Sequence, residues 1–250
     1  MHQAITQAVD SQNLTGHAPR DSGSSVESAA NRISVLECML LLESPQNPPN
    51  RMAETELPDS IPVITLHQCN LLPHGLLPLY IFELRYQQML EYALSHDRLF
   101  CVSTKLPGAE ELDDDDAVYS FSTAGLVRAC VRQDDGTSHL VLQGIQRVRF
   151  IEWIQTEPFR IVRIKAIDST DRDPAQSGAL REQLTEALAS HSGANEDFLK
   201  QLRAMPSAEM VADVVGFNLI GNPEERQPLL EMEEVSDRLE FLLKVFATIA

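Results

Sequence analysis

The sequence lacks most of the signatures by which an enzyme announces its chemistry. It contains no Gly-x-x-x-x-Gly-Lys-Ser/Thr segment, and no Gly-Lys dipeptide at all, so no P-loop can cradle the phosphates of a nucleotide. Its four cysteines, Cys38, Cys69, Cys101 and Cys130, stand about thirty residues apart with no Cys-x-x-Cys pair. Zinc sites and disulfide frameworks use closer or paired spacings, so buried or half-buried thiols in a reducing compartment are expected. The seven histidines are scattered singly, without a His-Glu-x-x-His helix. No catalytic residue, metal ligand or cofactor-binding residue is expected from these patterns.

Long hydrophobic runs are also missing. The apolar run at 33–42, "ISVLECMLLL", is half the roughly 20 residues that a membrane-spanning helix takes. It lies too far from Met1 for an ordinary signal peptide, and no small-residue cleavage pattern follows it. No membrane association is expected, and the cytoplasm is the expected location. Positive charge is scarce: 20 Lys and Arg face 37 Asp and Glu, a net charge of −17. Such a surface repels phosphate backbones and anionic lipid, which argues against nucleic acid as a partner.

What is present divides into three stretches. Residues 1–56 are rich in polar and small residues, with Pro45, Pro48 and Pro49 closing the apolar run, and read as a disordered extension. Met52, where the globular pattern begins, is a candidate initiator. Residues 57–168 are dominated by Val-, Ile- and aromatic-rich segments of strand length, such as "IPVITL", "LLPLYIF" and "FRIVRIKAI". "QDDGT" at 133–137 carries the Asp-Gly signal of a tight turn between two strands, and Gly144 interrupts a strand pattern as bulges and bends do. One helix is expected at about 83–95, where Phe82, Tyr86, Met89, Leu90 and Ala93 share a face. The acidic run "ELDDDD" at 111–116 reads as a solvated loop, since it lacks the alternation of a calcium loop. Residues 169–250 open on a polar linker, at 168–178, and continue as four helical segments broken near Gly193, Pro206 and "GNPEERQP".

The segment "IPVITLHQCNLLPHGLLPLYIFELRYQQML" resembles the start of the amino-terminal, substrate-recruiting domain of Lon proteases. The family runs from a Pro-containing strand through a Pro-Gly segment to "PL-x-IFE-x-RY" and into a helix. Pro62, Pro73, Gly75, Pro78, Leu79, Ile81, Phe82, Glu83, Arg85, Tyr86 and Met89 match it. Further matches follow in order: Gly125, Gly136, Gly144 and Arg147 in the paired strands, then Asp213, Gln227, Leu230, Glu231, Arg238 and Leu239 in the carboxy-terminal helices. The resemblance covers about 58–248. Leu84 departs from it, standing where the family usually has Pro between the Glu and the Arg.

The resemblance implies an α+β fold: a PUA-like curled sheet or barrel with one internal helix, then a carboxy-terminal helical bundle. Pro78, Phe82, Glu83, Arg85, Tyr86, Gly144 and Arg147 are its motif residues and are expected to be structural. Glu83 and Arg85 are expected to lock the strand-to-helix corner, with Arg147 a candidate for the same network; a buried lock of this kind costs about 3–5 kcal/mol to break. "MPSAEM" at 205–210 shares three residues with the family's catalytic serine segment but lacks its flanking glycines, and Ser207 reads as a helix N-cap. The function implied is non-enzymatic recognition of exposed or unfolded polypeptide, alone or as an accessory to a protease or chaperone. Leu76, Leu77, Leu79 and Tyr80 are the candidate peptide-binding residues. The alternative is a small-ligand binder or an enzyme on the same barrel.

Overall fold

The structure is a computed structural model that describes residues 57–109, 117–190 and 195–247. The extension 1–56, with Cys38 and Met52, and the acidic run 111–116 lie outside the described residues. The chain divides into two compact units between Asp168 and Ser169.

The first unit holds six strands and one helix. The strands are β1 (Ser60–Leu66), β2 (Leu76–Ile81), β3 (Leu99–Thr104), β4 (Phe121–Arg132), β5 (Ser138–Gln155) and β6 (Arg160–Ile167), and the helix is α1 (Leu84–Ser95). Strand β5 organises them. One of its edges pairs with β4 from Ser138 to Arg149, while the other pairs with β2 over its first part and with β6 over its second. Strand β6 pairs with β1, β1 with β3 in parallel, and β3 with β4, so five strands form a ring and β2 hangs outside it. The parallel pair is made possible by α1, which lies in the connection leading to β3 and packs on β1 and β3.

Alternation fills the ring. Ile61 and Val63 of β1, Leu99 and Cys101 of β3, Ala124, Val148 and Val162 form one buried cluster. Burial there pushes the Cys101 thiol far above its ordinary range, against a hydrogen bond with Ser122, and leaves it unreactive. The curl comes from register shifts in which one strand carries an extra residue: two between β4 and β5, and two between β5 and β6. The 133–137 turn joins β4 to β5 as its Asp-Gly pair requires. Gly136 takes φ +89°, and Asp135 accepts from the Thr137 N–H at 3.0 Å and its hydroxyl at 2.7 Å.

The second unit is helical: α2 (Pro174–Ala189), α3 (Glu196–Ala204), α4 (Ala208–Leu219), α5 (Pro223–Glu231) and α6 (Val235–Ala247). Side chains cap four of these starts. Asp173 accepts from the N–H groups of Ala175 and Gln176, Asn195 from Phe198, Ser207 from Met210 and Asn222 from Glu224. Two expectations are corrected. The stretch at 168–178 is no loose linker: Thr170 donates to the Glu233 carbonyl and accepts from the Val235 N–H, both at 2.9 Å, and α2 begins at Pro174. "GNPEERQP" does not simply break the chain either. Pro223 starts α5 at a position where a missing N–H costs nothing, and burial of Leu229 and Leu230 outweighs the bond lost at Pro228. Helix α6 packs on α2 and α4, and Arg238 of α6 meets Asp213 of α4 at 3.1 Å with both side chains wholly buried.

Candidate functional site

Strand β2 is placed by the segment before it. Leu71 and Leu72 are fully buried, and the chain then turns through His74, at φ +63°, against Gly144 of β5. The His74 N–H donates to the Gly144 carbonyl and the Gly144 N–H to the Gly75 carbonyl, both at 2.9 Å. An added Cβ at Gly144 would sit 2.1 Å from the Leu72 carbonyl oxygen. Only glycine admits so close a backbone approach.

From there β2 runs antiparallel to β5, with Leu76 opposite Gln143, Pro78 opposite Val141 and Tyr80 opposite His139. The Gly144–Gly75 bond fixes the parity of the ladder: Leu77, Leu79 and Ile81 turn their main-chain groups toward β5, and those of Leu76, Pro78 and Tyr80 point away from it. No strand among the described residues pairs with that outer edge. Pro78 is tolerated in mid-strand because its missing N–H faces outward. The edge therefore offers three carbonyls, of Leu76, Pro78 and Tyr80, but only two N–H groups.

Residues 76–80 are all half-buried, as expected of side chains with no neighbouring strand on one side. Leu77 and Leu79 share the face of buried Leu142 and Leu140. On the opposite face Tyr80, His139 and Val131 form one row across β2, β5 and β4. Tyr80 stacks on His139 at 4.7 Å between ring centres and on Phe82 at 5.7 Å. Phe82 is 47% exposed and Val131 53%, so the row presents an apolar surface beside the open edge.

At the corner the lock differs from the expected one. Glu83 bonds Arg85 Nε at 2.9 Å, but the pair is exposed and makes no cap on α1, so it is worth at most about 1 kcal/mol. The corner is held instead by Tyr86, whose buried hydroxyl donates to the Thr65 carbonyl at 3.0 Å and accepts from the Thr65 N–H at 3.3 Å. Gln87 adds a side-chain bond to the Phe82 carbonyl at 2.8 Å. Arg147 is buried on β5 beside Thr123 and Ile167.

The structure thus brings Leu76, Leu77, Pro78, Leu79, Tyr80, Phe82 and Gly144 to one edge, with Glu83, Arg85 and Tyr86 at its end and Arg147 on β5 between Thr123 and Ile167. Sequence reasoning missed His139 and Val131. The turn at 133–137 could have found them, because counting outward from it pairs Val131 with His139.

A family model for the ATP-dependent protease La (LON) substrate-binding domain matches residues 60–247. Similar proteins include the Lon protease of Dictyoglomus thermophilum, 27% identical over 189 residues that cover 74% of this chain and 24% of that protein. Lon protease 1 of Thermus thermophilus is 27% identical over 190 residues, covering 73% and 24%. The chain thus matches about a quarter of the length of these relatives. The N-terminal domain of a Mycobacterium avium complex Lon protease has a similar fold, with a TM-score of 0.61 at 16% identity over 75% of this chain and 98% of that one. The Lon N-terminal domain protein of Xanthomonas campestris gives 0.55 at 22%, over 74% and 97%. The chain belongs to the LON substrate-binding domain family.

Proposed function

We propose that this chain is a polypeptide-recognition module, without catalysis of its own, that holds exposed or unfolded segments of other proteins alone or as an accessory to a protease or chaperone. The family match from residue 60 to residue 247, across both units, carries the reading. The apolar surface around Tyr80, Phe82 and Val131 supports it, because unfolded segments are recognised by the apolar residues that folding would hide. The net charge of −17 favours polypeptide over nucleic acid and steers basic or amphipathic segments toward the surface. The site of action is the cytoplasm. Among the described residues no helix is long and apolar enough to cross a membrane.

The test uses the full chain and a fluorescent, permanently unfolded polypeptide, followed by anisotropy at low and high salt without nucleotide. Saturable binding that survives salt and is not competed by single-stranded RNA is the expected result. Absence of binding, or binding abolished by salt, refutes the reading.

A further inference from the structure

We infer that the bound polypeptide adds to the outer edge of β2 as an extra strand, and that the segment selected is extended, apolar at its centre and basic at its ends. This rests on the polypeptide-recognition reading and gives it a place and a mode.

Three features of the edge choose the occupant. The first is the main chain. Leu76, Pro78 and Tyr80 turn three carbonyls and two N–H groups outward, and none has a partner strand among the described residues. A strand laid here gains a ladder of main-chain bonds whatever its sequence, as in other edge-strand recognition. The second is the pair of faces flanking the edge. A strand opposite β2 directs alternate side chains onto the Tyr80–Phe82–His139 row and onto the side of Leu77 and Leu79. Both faces are apolar, so consecutive apolar residues suit the site better than strict alternation.

The third is charge. The turn that closes β4 and β5 at this end exposes Asp134 and Asp135, while Glu83 and Glu91 are each matched by an arginine, Arg85 and Arg132. Arg98, held on the Val127 carbonyl, and Arg128 of β4 offset these two locally, so the steering comes from the chain as a whole, whose charge of −17 favours lysine and arginine on the incoming segment. The same argument disfavours a second copy. Two chains of charge −17 repel, and pairing two β2 edges about Pro78 would set each Pro78 carbonyl against the other's proline ring, where the N–H donor is missing.

The experiment measures anisotropy of fluorescein-labelled Lys-Lys-Val-Phe-Val-Ile-Val-Lys-Lys with the full chain. It is repeated with the same peptide N-methylated throughout its apolar centre, which keeps the side chains and removes the main-chain donors. Leu76→Pro is measured beside wild type, since residue 76 turns its N–H outward and the variant leaves the β2–β5 ladder whole. Binding weakened at least tenfold by N-methylation, and again by Leu76→Pro at unchanged circular dichroism, is expected. If the methylated peptide binds as well as the parent, strand addition is wrong, while the broader reading stands as long as unfolded polypeptide still binds. If neither peptide nor unfolded polypeptide binds wild type, both readings fail. Sedimentation of the wild type as a dimer that Leu76→Pro dissolves would assign the edge to a second copy and overturn the proposal.

Discussion

Replacing Gly144 by Ala tests the contact that sets β2 in place. The added Cβ would meet the Leu72 carbonyl oxygen at 2.1 Å, the Leu72 carbonyl carbon at 2.9 Å and Pro73 Cα at 3.1 Å. All three are backbone atoms, so no side-chain rotation relieves the overlap, and strand and loop must part by about 1 Å. That separation breaks the bonds from His74 to Gly144 and from Gly144 to Gly75, at about 1 kcal/mol each. It also loosens Leu72, whose full exposure would cost a further 1.5–3 kcal/mol or so. Against this, alanine restricts the unfolded chain and returns about 0.4–1 kcal/mol. The net expectation is a loss of about 3 kcal/mol, or roughly 6–12 °C in melting temperature for a protein of this size. Thermal and urea unfolding followed by circular dichroism read it directly. Gly178→Ala is the control. This glycine lies inside α2 with nothing within 4 Å of an added Cβ, and the substitution should stabilise by up to about 1 kcal/mol. A Gly144→Ala protein within 1 kcal/mol of wild type would refute the close-approach argument.

Leu84→Pro restores the family's residue at the first position of α1 and should raise stability by about 0.5 kcal/mol. Leu84 is 69% exposed, its N–H is one the helix leaves unbonded, and Glu83 before it already has the extended backbone that a following proline requires. Asp213→Asn removes the carboxylate that meets the buried Arg238 at 3.1 Å, leaving Glu209 more distant at 3.9 Å, and should cost about 3 kcal/mol in urea unfolding. The apolar double replacement of Asp213 by Leu and Arg238 by Met should recover most of that loss. The Glu234 carboxyl is held below its ordinary value of 4.5, first by the Arg172 N–H at 2.9 Å and then by the Thr170 hydroxyl at 2.7 Å. A depressed folded-state value means the contribution is present above the unfolded value and is lost as pH falls through the folded one. Glu234→Gln should therefore destabilise the chain at neutral pH, and its unfolding curve should converge on that of wild type as the pH falls below 4.5 and through the lowered folded-state value.

Much of this architecture was legible because strand and helix periods are local properties. "FRIVRIKAI" and "LLPLYIF" alternate or fill as strands do, and the cap at Ser207 is written in a single residue. A curled sheet or barrel was expected, and Gly144 marked the bend near which β2 gives way to β6, but which strands pair to close the ring was not legible, because it depends on β5 having different neighbours along its two parts. The beginning of helix α5 was hidden by its prolines, whose local cost is outweighed by tertiary burial of Leu229 and Leu230. The corner misled for a related reason. Charges stand out in an apolar stretch, so Glu83 and Arg85 drew attention, whereas the buried bond is made by Tyr86, whose ring reads as ordinary core. One signal at the candidate site was available and unused: a proline inside a strand pattern marks an edge, and Pro78 alone would have set β2 at the margin of the sheet.

Pro78 also explains how a protein can keep an apolar edge open. A complete row of outward N–H and carbonyl groups templates any strand, a second copy included, and natural sheets interrupt such rows with proline or charge. At Pro78 the interruption falls in mid-edge, so an incoming segment is held by bonds at Leu76 and Tyr80 on either side of a gap. Pro78→Val should close it. Its N–H would point away from β5, so the ladder to Val141 is untouched, and valine suits a strand better than proline does. The fold should keep its stability to within about 1 kcal/mol, offset by the greater freedom of the unfolded chain. Peptide binding should tighten, and sedimentation should show concentration-dependent association that the wild type lacks. A Pro78→Val chain that stays monomeric and binds peptide no better than wild type would mean that the edge is closed by something other than its missing donor.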